Sequence, residues 1–309
     1  MAMPRFATID VGTNSVLLLV ADRTPEGRFV PVLERAEITR LGRGVDQNRR
    51  LSQEGMEATL EVLTAFAQEA RALGAEGIAV SATSAARDAQ NGQEFLDAAQ
   101  QRAGVSVEII SGQMEAQLSF SSVHMDFAQE TAGPLLVIDI GGGSTEFIYG
   151  NKAGKVDFRV SLDVGSVRIT ERFIQKDPLS SREREAITSF LQTSFSTLPA
   201  PPPASSLVGV AGTVTTLFTV QHRIEPYDAL RVQGGTLLRS EVEGLADQLC
   251  GLPLEARRAL PGLQPKRADV IPAGALILLE ALRALKIDRC RVSDRGLRWG
   301  LLAHRFGAV

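Results

Sequence analysis

Residues 6–20 read FATIDVGTNSVLLLV and residues 135–149 read LLVIDIGGGSTEFIY. Each is an apolar run that ends in an aspartate, turns through Gly, Ser, Thr or Asn, and resumes as a second β-prone run. The aspartates, Asp10 and Asp139, stand 129 residues apart. This echo predicts two β-hairpins that open two related halves. In a Walker loop or a dinucleotide fingerprint the glycine-rich turn opens a helix instead. Here VLLLVAD and EFIYG read as strands, and GxxxxGK[ST] occurs nowhere in the chain. Both nucleotide-loop readings therefore fail. A strand–turn–strand still suits an anion, because successive backbone N–H groups form a positive nest.

Outward from the first hairpin, FVPVLERAEITRLG reads as further strand. Residues 52–73 carry apolar residues at helical spacing behind Ser52, a natural N-cap. GIAVSATSAARDA is a buried strand running into a turn and helix, EFLDAAQQRA a helix, and VEIISGQMEAQLSFSSV a strand, a turn at Ser111-Gly112 and a helix carrying Glu115. The second half repeats the plan. Strands occupy about 135–164, helices lie near 166–175 and 180–197, and LPAPPPASS is a surface connector. SLVGVAGTVTTLFTV then gives strand, glycine turn and helix. VIPAGALILLEALRAL is a strongly apolar helix, and RCRVSDRGLRWGLLAHRF a short strand, a turn and a closing helix. The class is α/β, in two domains, 1–129 and 130–309, with the active cleft expected between them.

Composition narrows the function. With 309 residues, 44% hydrophobic and 22% charged, the chain has ample core for two domains. No apolar run approaches the ~18 residues of a membrane helix. The amino terminus has no signal-peptide pattern, so a cytoplasmic protein is expected. Cys250 and Cys290 form no CxxC motif and the three histidines are scattered, which argues against a disulfide framework or a zinc site. From Glu255 onward eleven Arg/Lys face five Asp/Glu, against a net charge of −3 for the chain. That basic end suits either an anionic ligand or a solvated helix face. No nucleic-acid or membrane partner is expected. The apolar run 270–285 exceeds what one core readily buries, which suggests a homodimer.

The two glycine turns, each with an acid at its strand end, suggest a phosphate clamp. Asp10 and Asp139 suit Mg²⁺, a hard cation that favours carboxylate, water and phosphate oxygens. Gly12, Thr13, Asn14 and Ser15 in the first turn, and Gly141, Gly142, Gly143, Ser144 and Thr145 in the second, offer close backbone approach and hydrogen-bond donors. Glu146 reads equally as a metal or water ligand and as a strand-edge charge. Glu115 is a candidate general base one turn into its helix, or an acid placed to satisfy the helix dipole. Arg87 is a phosphate ligand or the partner of Asp88. Gly209, Gly212 and Thr213 form a third tight turn, and Arg267, Asp294, Arg295 and Arg298 lie in the basic end.

Taken together and in order, IDVGTNS, ITRLGRGV, SATSAARDA, IISGQMEA, VIDIGGGSTE, GSVRITERF, GVAGTVTTL, RADVIPAGALIL and VSDRGLRWGLL resemble the exopolyphosphatase/guanosine-pentaphosphate phosphatase family of the actin/hexokinase/Hsp70-type superfamily. The resemblance implies two ribonuclease-H-like halves and Mg²⁺- or Mn²⁺-dependent release of terminal phosphate. It implies Glu115 as catalytic base, Asp139 and Glu146 as metal- and water-positioning carboxylates, and Arg87 as a phosphate contact. Asp10 through Ser15 match the first phosphate loop and Gly141 to Thr145 the second. The substrate implied is inorganic polyphosphate or guanosine pentaphosphate. A non-catalytic alarmone-binding regulator of the stringent response is the reading from another class. Two departures stand out: Gln117 occupies a position often held by Arg, and the chain ends soon after SDRG, without the HD-type helical region of long members.

Overall fold

The computed structural model describes residues 3–307. Along the chain, β1 (Arg5–Val11), β2 (Ser15–Arg23) and β3 (Phe29–Ile38) lead to α1 (Val45–Asn48), α2 (Gln53–Ala72), β4 (Gly77–Ala82), α3 (Ser84–Asp88), α4 (Gly92–Ala103), β5 (Val107–Ile109) and α5 (Gly112–Phe127). Then come β6 (Leu135–Ile140), β7 (Thr145–Gly150), β8 (Val156–Leu162), α6 (Ser166–Phe173), α7 (Ser181–Phe195), β9 (Ser206–Val210), α8 (Ala211–His222) and α9 (Ala229–Val232). The chain closes with β10 (Thr236–Leu238), α10 (Arg239–Gly251), α11 (Leu254–Arg258), α12 (Ile271–Leu285), β11 (Arg289–Val292) and α13 (Leu297–Phe306). Ser52 caps α2 as its sequence suggests, its side chain accepting from the Gly55 amide. The stretch around β10 and α10 carries no such marked signal.

Two compact units emerge. One holds the residues up to Ser122 together with those from Leu297 onward, and the other spans Val123–Gly296. The division therefore falls inside α5, not at 129/130, and α13 joins the first unit instead of the second. The reason is packing. Trp299 and Leu302 of α13 are buried against Leu19 and Ala21 of β2, and Leu297 and Leu301 against Ile110 and Leu118. Thr8 of β1 adds a hydroxyl bond of 2.9 Å to the Arg298 carbonyl.

The first sheet runs β3-β2-β1-β4-β5 and the second β10-β11-β9-β6-β7-β8. Read from β8 inward, the second repeats the first and adds one strand, the ribonuclease-H-like order that the resemblance implies. The correspondence extends to register. β1 pairs antiparallel with β2, and β6 with β7. Each also takes a parallel partner 71 residues downstream: Asp10 lies opposite Ser81, and Asp139 opposite Val210. Parallel strands need a long crossover, and both halves use one of the same length.

Cores follow from the patterns. In the first unit Ala7, Ile9 and Val11 face Leu63, Phe66 and Phe95 of α2 and α4. In the second, every residue of β6 and β7 is buried, as expected for strands covered on both faces. The apolar run 271–285 is the centre of that core, with Ala275–Leu282 buried throughout α12. The surplus that suggested a homodimer is thus consumed within one chain. No described helix is long and apolar enough to cross a membrane.

Candidate active site

In the first unit the turn between β1 and β2 closes with the Gly12 amide donating to the Ser15 carbonyl at 2.9 Å. Its remaining carbonyls are held from behind. The Thr39 and Arg40 amides donate to the Asn14 carbonyl at 3.1 and 3.0 Å, and the Gly42 amide to the Thr13 carbonyl at 2.8 Å. In a trans peptide the C=O of one residue and the N–H of the next point in opposite directions. Fixing those carbonyls therefore turns the Asn14 and Ser15 amides the other way. The Thr13 hydroxyl is 2.8 Å from that of Ser84, which ties the turn to the start of α3. Among the described residues the buried side-chain amide of Asn14 has no hydrogen-bond partner, and neither has the Ser81 hydroxyl, in register with Asp10. Both are donors that a ligand can use.

Arg87, in the last turn of α3, donates to the Ile110 carbonyl at 2.9 Å and lies 3.5 Å from Glu115 Oε2. Glu115 sits in the first turn of α5 and is 8% exposed. Its turn is started by Ser111, whose hydroxyl accepts from the Met114 amide and whose carbonyl accepts from the Glu115 amide. The structure thus brings together Arg87 and Glu115, far apart in sequence, as a guanidinium–carboxylate pair. Beside the pairing with Asp88 that the sequence leaves open, Arg87 thus has an acidic neighbour on α5.

The second unit rebuilds the turn. The Gly141 amide donates to the Ser144 carbonyl at 3.0 Å, 129 residues after its counterpart. Here the buttress is the start of α6. The Ser166 amide bonds the Gly141 carbonyl, the Val167 and Arg168 amides bond that of Gly142, and Arg168 Nε bonds that of Gly143 at 2.7 Å. By the same geometry, the Gly142, Gly143 and Ser144 amides face away from α6. Gly165 is required beneath the turn, because a Cβ there would run into the Gly142 backbone.

Asp139 and Glu146 are direct cross-strand partners on β6 and β7, 6% and 0% exposed. Glu146 Oε1 accepts from the Ser161 hydroxyl at 2.6 Å, across to β8. Leu17 occupies the corresponding place in the first unit, opposite Asp10, so the acid pair belongs to the second half alone. Opposed carboxylates repel. A hard divalent cation that uses one or two carboxylates and keeps its waters fits that pair. Among the described residues no three or more His, Cys, Asp or Glu side chains gather as a ready-made metal cage. Of the three acids expected as metal ligands, the two in the second unit are neighbours in register, while Asp10 belongs to the first unit.

Thr145 is fully buried and its hydroxyl donates to the Val164 carbonyl at 2.5 Å, so this side chain fastens β7 to the segment before α6. The basic end is largely committed to ion pairs: Arg257 to Asp177, Arg283 to Glu243 and Glu280, Arg295 to Asp126, Arg298 to Glu34. Cys250 and Cys290 are free and buried, and burial pushes their thiols up to about 11 and about 12. Sequence reasoning missed the buttresses, Thr39–Gly42 and Ser166–Arg168, and also Ser81 and Ser161. The GSVR run was visible as a motif, but nothing in it says that it grips a glycine turn.

Comparison with known proteins places these features in context. The Ppx/GppA phosphatase family profile matches residues 19–307. Exopolyphosphatase 2 of Mycobacterium tuberculosis is 34% identical over 317 residues, covering 97% of this chain and 98% of that protein. The guanosine-5'-triphosphate,3'-diphosphate pyrophosphatase of Vibrio vulnificus is 32% identical over 303 residues, covering 96% of this chain and 58% of that one. The crystal structure of the Aquifex aeolicus member of the Ppx/GppA family superimposes with a TM-score of 0.82 at 33% identity, covering 98% of this chain and 97% of that one.

Proposed function

This chain belongs to the Ppx/GppA phosphatase family, and from that premise we propose that it is an exopolyphosphatase, releasing the terminal phosphate of inorganic polyphosphate to water. The observation that carries the reading is the pair of buttressed turns, whose amides face away from their supports, together with the Arg87–Glu115 pair. In the first unit the turn amides, the Asn14 side chain and Arg87 bind and orient phosphoryl oxygens, and in the second the amides of Gly142, Gly143 and Ser144 do the same. Glu115 accepts a proton from the attacking water as the water oxygen bonds to phosphorus and the bridging P–O bond breaks. Asp139 and Glu146 would hold Mg²⁺ or Mn²⁺, with Asp10 as the acid of the first turn. When bound, the ion supplies positive charge that offsets charge on the transferring group, the main source of rate in such reactions.

Guanosine pentaphosphate is the competing substrate, since the Vibrio relative is named for that chemistry. The mycobacterial exopolyphosphatase matches over nearly its full length and the Vibrio protein over little more than half, which favours polyphosphate. The test is phosphate release with Mg²⁺ from long-chain polyphosphate and from guanosine pentaphosphate, side by side, for wild type and Glu115→Gln. Release from polyphosphate, reduced at least ~10²-fold in the variant with binding retained, is expected. Release from the nucleotide alone would assign the other substrate. Binding without release from either would make the protein an alarmone- or polyphosphate-binding regulator.

A further inference from the structure

The two turns differ in what holds them. In the first unit the backbone amides of Thr39, Arg40 and Gly42 hold the Asn14 and Thr13 carbonyls. In the second, side chains take part: the Ser166 hydroxyl reaches the Gly141 carbonyl at 3.3 Å beside the Ser166 amide, and the Gly143 carbonyl is held by Arg168 Nε at 2.7 Å. That turn is also the weaker by composition. Gly141-Gly142-Gly143 has no side chain of its own to fix it, and glycine has more backbone freedom to lose than any other residue. Arg168 is nearly buried, and its ion-pair partner Asp163 is highly exposed and 4.0 Å away. Its Nε lies closer to the turn carbonyl, at 2.7 Å, than its guanidinium does to that carboxylate.

We propose that Arg168 is a positioning residue for phosphate binding, acting through the Gly143–Ser144 peptide. This inference rests on the phosphohydrolase reading above. By holding the Gly143 carbonyl, the side chain fixes the Ser144 N–H in the opposite direction, among the donors that receive a phosphoryl oxygen. Arg suits the task because its planar fork donates in a fixed geometry, whereas Lys offers a mobile point charge. The role is indirect: Arg168 touches the turn and not the substrate.

The test compares wild type, Arg168→Ala and Arg168→Lys. The probe is inorganic tripolyphosphate with Mg²⁺, titrated calorimetrically, alongside KM and kcat for long-chain polyphosphate and far-UV circular dichroism. R168A should bind tripolyphosphate roughly 10- to 100-fold more weakly, the range for residues that orient a ligand-contacting group. KM should rise more than kcat falls, and millimolar guanidinium chloride should restore part of the affinity. R168K keeps the charge and most of the packing, so it decides the matter if R168A does not fold, and it too should bind more weakly than wild type. Wild-type affinity in every variant that folds would overturn the inference while leaving the phosphohydrolase reading intact. If wild type itself neither binds tripolyphosphate nor releases phosphate, that reading fails and the role of Arg168 falls with it.

Discussion

Ser81 holds a hydroxyl that is 1% exposed and has no hydrogen-bond partner among the described residues. A buried polar group in that condition costs about 1–3 kcal/mol relative to one that is satisfied. Val210 stands at the matching place in the second half, so the fold itself does not demand a hydroxyl there. Its neighbour in register is Asp10, at the mouth of the first turn. Ser81→Ala is therefore expected to stabilise the protein by roughly 1 kcal/mol, read as a higher urea midpoint at unchanged slope. It should also lower phosphate release several-fold, because a donor beside Asp10 is gone. Activity at the wild-type level would separate Ser81 from the site. Glu115 and Arg87 make the opposite case, since their 3.5 Å pairing already commits both charges to one place.

At the scale of the element, what the sequence reveals depends on how local the cause is. The paired hairpins are legible because each is decided within about 15 residues by alternation, an aspartate and a glycine turn. The cap of α2 is legible for the same reason. The buttresses are not, because backbone amides at 39–42 and 166–168 carry no residue signature of the carbonyls they meet. Helix α7 shows the local kind at its strongest. Glu183 accepts from the amides of Gln175, Lys176 and Ser180 and from the Ser180 hydroxyl, completing a capping box. The Ser180 hydroxyl leads these donors in holding the carboxyl down to about 2, below its ordinary 4.5. A lowered folded-state value stabilises the protein above the unfolded value, and the gain is lost as pH falls through about 2. Between those limits the unfolded chain binds more protons, so stability should climb with pH. Glu183→Gln should flatten that limb, narrowing the difference between melting temperatures recorded near pH 3 and pH 5. An unchanged difference would show that the box does not persist in solution.

Whole-molecule organisation brings the two ends of the chain's logic together in the first unit. Which sheet α13 covers is settled by contacts nearly the length of the chain apart, such as Thr8 with Arg298. That is why a cut near residue 130 places the helix in the wrong half. The consequence is that a residue close to the carboxy terminus supports α5, the helix that carries Glu115. Gly300 of α13 lies against the backbone of Leu118, where a Cβ would run into the carbonyl oxygen. Leu118 is three residues beyond Glu115 on α5, on an adjacent position of the same helix face. Backbone cannot yield as a flexible side chain does, so Gly300→Ala must push α13 and α5 apart, at about 1–3 kcal/mol for an overpacked contact. The shift reaches the Arg87–Glu115 pair. A misplacement of even 1 Å at a reacting group lowers rate by up to ~10²-fold. Trp299, the single tryptophan, is buried next door, so its fluorescence follows this unit. Gly244 is the control, exposed in α10 with open space about it. There Ala should add up to about 1 kcal/mol of helix preference and leave turnover alone. G300A is expected to lower both the urea midpoint seen by Trp299 and kcat, with G244A lowering neither. Wild-type turnover in a destabilised G300A would mean that Ser111 and Arg87 hold Glu115 in place without help from α13.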